Sequence, residues 1–166
     1  MVKIGVVSDT HIPYAALSIP EVVLRTFADE AVDLILHAGD MVEEEALYDL
    51  MAVAEVKAVC GNMDSVSVKS AYPDRLIVSV EEVKILLVHG WGEPYRLPER
   101  LCEAYSHLNP DSIVFGHSHI PFCADLEGIF LFNPGTPTDR RFAERRSFGI
   151  LKVDGKEITG RIIYID

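Results

Sequence analysis

Five apolar runs in this chain end abruptly in residues able to bind a metal ion, and this recurrence restricts the fold more than any other feature. Val2 to Val7 runs into Ser8-Asp9-Thr10-His11, Val32 to His37 into Ala38-Gly39-Asp40, and Val56 to Cys60 into Gly61-Asn62-Met63-Asp64. Val83 to Val88 runs into His89-Gly90, and Ser112 to Phe115 into Gly116-His117-Ser118-His119. Short, nearly unbroken apolar runs fit strands buried on both faces. Between the first two, Pro20 to Glu30 carries Val22, Val23 and Phe27 at helical spacing behind Ser18 and Pro20. Between the second and third, Glu43 to Ala54 opens on three glutamates, where a helix dipole favours them. The order βαβαβ predicts parallel strands joined by right-handed crossovers.

Beyond Pro73 the pattern changes. Leu76 to Val80 and Val83 to Val88 flank Glu81-Glu82 and predict an antiparallel hairpin. Leu97 to Leu108 predicts a helix, and Ile129 to Phe132, Ser147 to Val153 and Glu157 to Tyr164 predict strands, the last two turning at Asp154-Gly155. With 166 residues and no repeat, low-complexity tract or linker, a single domain over 1–166 is expected. Apolar residues make up 49%, enough to offset chain entropy and exclude disorder.

The net charge of −11 repels polyanions, so binding to long nucleic acid is not expected, whereas a small phosphate ester remains a fitting substrate if bound cations dominate the local field. Cys60, Cys102 and Cys123 form no Cys-x-x-Cys motif and read as reduced thiols packed as small apolar residues. With no leader-like segment and no apolar run of about 18 residues, a cytoplasmic protein without a membrane partner is expected; a homo-oligomer is left open.

Ligands of open α/β sheets gather at the carboxyl ends of strands, so Asp9, His11, Asp40, Asn62, His89, His117 and His119 are expected to share one crevice. If the backbone is extended there, Asp9 and His11 point the same way, as do His117 and His119. Nitrogen and oxygen donors without thiolate suit Mn, Fe, Zn, Ni or Co. Seven ligands exceed the needs of one tetrahedral ion and suit two ions about 3.5–4 Å apart sharing a carboxylate. Asp40 is the natural bridge, with Gly39 leaving room for close backbone approach. Two divalent ions against two aspartates leave a positive site for an anionic phosphate.

In this order, Asp-x-His, Gly-Asp, Gly-Asn-x-Asp, His-Gly and Gly-His-x-His resemble the calcineurin-like metallophosphoesterases over roughly Lys3 to Ile163. The short chain and Asn133-Pro134-Gly135 after the last motif are most similar to the family's small single-domain phosphodiesterases. The resemblance implies a four-layer α/β/β/α sandwich of two mixed β-sheets flanked by helices. It implies two divalent metal ions, Mn²⁺ foremost with Ni, Zn, Fe or Co as alternatives. One would be held by Asp9, His11, Asp40 and His119, the other by Asp40, Asn62, His89 and His117. It further implies hydrolysis by a metal-bridging hydroxide attacking phosphorus, with Asp40 and Asn62 catalytic. The alternative is a metal-binding interaction scaffold with little catalysis, since the retromer vacuolar-sorting subunit shares this small fold.

One departure bears on substrate. Where many family members carry histidine, this chain has Met63, and a thioether cannot protonate a leaving group. A preference for aryl-like leaving groups is expected, with Asp64 left a turn-forming role. His37 and His107 read as structural. Trp91 and Tyr95 could stack on an aryl group, and Arg140, Arg141, Arg145 and Arg146 read as a solvated face paired with Asp139 and Glu144.

Overall fold

Alternation along the first strand decides the layering. In β1 (Val2–Val7), Ile4 and Val6 enter a core shared with Ile85, Leu87, Val114 and Phe132, whereas Val7 packs among Val23, Phe27 and Leu50. A strand covered on both faces needs a layer on each side, and the chain supplies a second sheet and a set of helices. The computed structural model describes residues Met1–Asp166.

The remaining strands are β2 (Leu34–His37), β3 (Glu55–Ala58), β4 (Arg75–Val80), β5 (Val83–Val88), β6 (Ser112–Val114), β7 (Phe122–Leu126), β8 (Ile129–Asn133), β9 (Ser147–Asp154) and β10 (Glu157–Tyr164). The helices are α1 (Glu21–Asp29), α2 (Tyr48–Met51), α3 (Val66–Ala71) and α4 (Leu97–Tyr105). One sheet has the order β10-β9-β1-β2-β3 and the other β4-β5-β6-β8-β7. β1, β2 and β3 are parallel, as are β5, β6 and β8, while β9 joins β1 and β10 antiparallel. The predicted hairpin forms between β4 and β5, pairing Val80 with Val83.

Three apolar cores separate the layers. Between the sheets lie Ile4, Leu36, Ile85, Leu87 and Phe132; outside the first sheet Val23, Phe27, Leu47 and Val68; outside the second Leu97, Leu101, Ile113 and Phe115. The expected α/β/β/α sandwich of two mixed sheets is the architecture found. No helix is long and apolar enough to cross a membrane.

Local departures from expectation have physical causes. The helix expected over Glu43 to Ala54 is a 3₁₀ turn over Glu44–Leu47 followed by the short α2, a tightening common at helix starts. The unpredicted α3 spans only six residues, two of them β-branched valines, and is initiated by Ser65, whose hydroxyl accepts from the Val68 N–H. The unpredicted β7 is an edge strand with Cys123, Ala124 and Asp125 exposed, so its sequence carries no burial pattern.

Candidate metal centre

The loops that leave β1, β2, β3, β5 and β6 meet at one end of the two sheets and carry every predicted site residue. Asp9, His11, Asp40, His117 and His119 all adopt left-handed backbone, with φ of 54°, 45°, 57°, 71° and 61°. Such conformations cost non-glycine residues about 1–3 kcal/mol each and persist where surroundings enforce them. Here the enforcement is a lattice of bonds between loops: Asp9 N–H donates to Gly39 O at 3.0 Å, His11 N–H to Asp40 O at 3.0 Å, and Gly116 N–H to His89 O at 3.0 Å. The extended geometry expected for the two i, i+2 pairs is therefore replaced by tight left-handed turns.

The side chains converge nonetheless. Asp40 Oδ2 lies 3.3 Å from His11 Nε2 and 3.2 Å from His89 Nε2. His119 Nε2 is 3.3 Å from Asp9 Oδ1, and His11 and His89 Nε2 are each 3.9 Å from the same oxygen. Asn62 Oδ1 is 3.1 Å from His89 Nε2. His117 stands at the edge: its Nε2 faces Gly92 O at 2.6 Å and its ring packs edge-on against His89. His117 and His119 thus diverge, and only His119 reaches the carboxylates.

These residues suit a divalent cation. Asp9 is wholly buried, with Oδ2 accepting from Ser8 Oγ at 2.6 Å and from the His117 N–H at 3.0 Å, while Oδ1 has no hydrogen-bond partner. An orphaned carboxylate oxygen deep in a protein is costly unless a cation meets it. Asp9, His11 and His119 form one close group of potential ligand atoms, and Asp9, Asp40 and His89 another. All are oxygen or imidazole donors, the chemistry expected for Mn, Fe, Zn, Ni or Co.

Bonds behind the site set its geometry. His89 Nδ1 donates to Ala38 O at 2.7 Å and His11 Nδ1 to Asp139 Oδ2 at 3.0 Å, so each ring turns Nε2 inward. His37 accepts the Gly39 N–H on Nδ1 and donates from Nε2 to Thr10 Oγ1; burial pushes its pKa down to about 4, which keeps it neutral and structural. Two glycines are obligatory: a Cβ on Gly39, at φ 94°, would lie 2.8 Å from His89 Nδ1, and one on Gly61 2.2 Å from Asp40 Oδ1.

Asp64 does more than form a turn. Its buried carboxylate accepts the N–H groups of Asp40 at 3.1 Å, Val42 at 2.6 Å and Gly61 at 2.6 Å, tying the β2 loop to the β3 loop. Both oxygens are occupied, so Asp64 has little capacity left to orient a ring at position 63. Met63 exposes half of its surface, and its N–H donates to Asp40 Oδ1 at 2.8 Å.

The cluster is charged in a pH-dependent way. For His89, burial opposes protonation, but the Asp9 carboxylate and the hydrogen bond to Asp40 outweigh it and raise the pKa from 6.5 to about 9. His11 is raised too, burial again overcome by Asp40 and Asp9. A folded pKa above the unfolded value adds stability that is full below pH 6.5 and lost as pH rises through about 9. The metal-free protein should therefore melt at progressively lower temperature across that window. Metal ions must displace these protons, so affinity should climb with pH and binding at neutral pH should release protons in a calorimeter. A metal-free melting profile flat across the window would count against charged imidazoles here.

Asp139 was concealed in the sequence. Arg141 pairs with it as expected, yet Asp139 is only 2% exposed and lies against His11, not on a solvated face. Arg140 and Arg146 pair instead with Asp166, and Arg145 stacks on Tyr164. Trp91 joins Asn62 and His89 in lining a cavity of about 260 Å³, whereas Tyr95 is 78% exposed and lies outside it. Of the cysteines, all free, only Cys102 is buried as expected.

Residues 2–156 match the family model of the calcineurin-like phosphoesterase superfamily domain. A probable metallophosphoesterase of Methanothermobacter thermautotrophicus is 39% identical over 160 residues, which span 96% of this chain and 91% of that protein. Among solved structures, Vps29 of Chaetomium thermophilum is similar with a TM-score of 0.87 at 23% identity, covering 100% of this chain and 87% of that one. An archaeal phosphodiesterase is similar with a TM-score of 0.76 at 23% identity, covering 98% of this chain and 100% of that one. At such identity these two structures share the fold alone. By the extent of the family match and the 39% identity, the chain belongs to the calcineurin-like phosphoesterase superfamily, and with it to the metal-dependent hydrolases of phosphate esters.

Proposed function

We propose that the chain is a dinuclear-metal phosphodiesterase acting on small diesters with good, aryl-like leaving groups. The observation that carries this reading is the orphaned Asp9 Oδ1, faced by three imidazole Nε2 atoms beside Asp40 Oδ2. The alternative, a metal-binding scaffold of the Vps29-like fold with little or no catalysis, would hold metal through the same donors and differ by lacking turnover.

In this reading Asp9, His11, Asp40 and His119 would hold one ion and Asp40, Asn62 and His89 the other, joined by His117 once its ring turns away from Gly92 O. Asp40 would be the shared ligand because its Oδ2 lies 3.3 Å from His11 Nε2 and 3.2 Å from His89 Nε2, closer than the 3.9 Å that separates either from Asp9 Oδ1. When bound, the ions, Mn²⁺ foremost, would supply Lewis acidity and activate water as the nucleophile. The residues do the rest. Asn62, which lines the cavity, would offer its side-chain amide to the ion or to a phosphate oxygen. Trp91 provides an aromatic wall beside His89 for an aryl group. Met63 donates no proton, so the departing oxygen leaves as an anion, which an aryl oxide tolerates far better than an alkoxide.

Protein purified without chelator should carry transition metal, and it should hydrolyse bis(4-nitrophenyl) phosphate far faster than a matched dialkyl ester or an aryl monoester. Absence of metal, with no activity after adding Mn²⁺, would overturn the enzyme reading, and bound metal without turnover would favour the scaffold. Met63→His should raise turnover of poor leaving groups only several-fold, well under the usual ~10²–10⁴ general-acid effect, because Asp64 is already committed to three backbone donors. Equal wild-type rates on aryl and alkyl diesters would mean that another group supplies the proton.

A further inference from the structure

The three imidazoles that turn Nε2 toward the carboxylates differ in what stands behind them. His89 Nδ1 meets the Ala38 carbonyl, His119 Nδ1 has no partner, and His11 Nδ1 meets a carboxylate, Asp139 Oδ2, at 3.0 Å. Asp139 is contributed by the loop after β8, 128 residues along the chain from His11.

That carboxylate is fully occupied. Oδ1 accepts from Arg141 N–H at 2.9 Å and Arg141 Nε at 3.0 Å, and Oδ2 accepts from an Arg141 terminal nitrogen at 2.5 Å as well as from His11. The same terminal nitrogen lies 3.2 Å from His11 Nδ1. Both of those nitrogens are donors, so the His11 proton goes to Asp139. The loop is braced against the first motif by two further bonds, Thr136 Oγ1 to Asp9 O at 2.8 Å and Thr138 Oγ1 to Thr10 O at 2.7 Å. The Asp139 N–H itself donates to Thr136 Oγ1 at 3.0 Å.

An ordinary surface ion pair would leave both partners in water, where it contributes little. Here the Arg141 side chain is 60% exposed while that of Asp139 is 2% exposed, so the carboxylate has been drawn inward to the imidazole and away from solvent. A carboxylate behind a metal-binding imidazole selects one tautomer, fixes the ring and strengthens its donor nitrogen.

We propose that Asp139 is a positioning residue of the metal centre: it holds His11 as the Nδ1–H tautomer with Nε2 aimed at Asp9 and Asp40, and Arg141 holds Asp139 in that pose. The proposal rests on His11 being a metal ligand, and the test separates the two ideas. Zn²⁺ binding to the full chain is measured by calorimetry for wild type, Asp139→Ala, Asp139→Asn, Arg141→Gln and His11→Ala. The Nδ1–H protons of the Zn²⁺-loaded proteins are followed by NMR.

Asp139→Ala should weaken one of the two ions by about 10–100-fold. Asp139→Asn should weaken it less, because the amide oxygen still accepts from Nδ1, and it serves as the folded control if the alanine variant does not fold. Arg141→Gln should give a smaller loss of the same ion. In Asp139→Ala the His11 Nδ1–H signal should exchange rapidly with water, while that of His89, held by the Ala38 carbonyl, should not change. Wild-type affinity in both Asp139 variants, with one ion lost in His11→Ala, would overturn the proposal and leave His11 a ligand. Weakened affinity with an unchanged His11 signal would assign the loss to loop packing and overturn it too. Retention of both ions in His11→Ala would overturn the ligand assignment and the proposal together.

Discussion

Asp40→Asn is expected to deplete both metal positions and to lower turnover at least about 10³-fold, the largest effect of any single ligand change. The carboxylate faces His11 Nε2 and His89 Nε2 at nearly equal distance through one oxygen, while the other accepts the Met63 N–H. An amide keeps the shape but removes the negative charge that each ion and each imidazolium uses. Asp40 itself is held well below the usual carboxylate range: burial works against ionisation, and the hydrogen bonds from His11 and His89 overcome it. Removing that charge should also lower the pKa of both histidines, so the metal-free variant should lose less stability than wild type between pH 6.5 and about 9. Metal analysis, steady-state kinetics and pH-dependent melting of the same preparation check all three outcomes. Two tightly held ions and normal turnover in this variant would show that Asp40 is not the shared ligand.

Asp64→Ala should be the most damaging change to stability among residues that face the site without contacting metal. The alanine would strand three buried N–H groups, those of Asp40, Val42 and Gly61. Hydrogen bonds to a charged acceptor contribute about 1.5–3 kcal/mol each, and partial relaxation reduces their sum, so a loss of at least about 3 kcal/mol is expected. For a chain of this length that corresponds to roughly a 6–12 °C fall in melting temperature. The measurement belongs on metal-free protein, where ligand binding cannot mask it. Metal affinity should drop as well, because the Asp40 backbone is one of the groups released. A fall under about 1 kcal/mol would mean that water replaces the carboxylate and that the loops hold without it.

The strands that seed the site are legible because burial on both faces leaves an unbroken apolar run: β1, β2 and β5 are each followed at once by a polar turn. Edge strand β7 and the six-residue α3 have no such run, and both escaped sequence reading. The site divides in the same way. Donor types and their order lie in local motifs, so Asp9, His11, Asp40, Asn62, His89, His117 and His119 stand out from the chain alone. Asp139 belongs to no motif, and its neighbour Arg141 disguises it as half of a surface pair.

Local periodicity and residue chemistry determined the parallel β1-β2-β3 core, the β4-β5 hairpin and a nitrogen-and-oxygen donor set without thiolate, while the four-layer count came from the family resemblance. Tertiary structure alone decided which way each imidazole turns. Left-handed backbone at five of the donors is held by bonds between loops distant in sequence, so side-chain direction cannot be inferred from i, i+2 spacing. It therefore separated His117 from His119, spent Asp64 on three backbone donors and carried Asp139 across 128 residues to His11. Each of these outcomes depends on how two sheets stack and where their loops meet, and short-range sequence pattern encodes burial but not that placement.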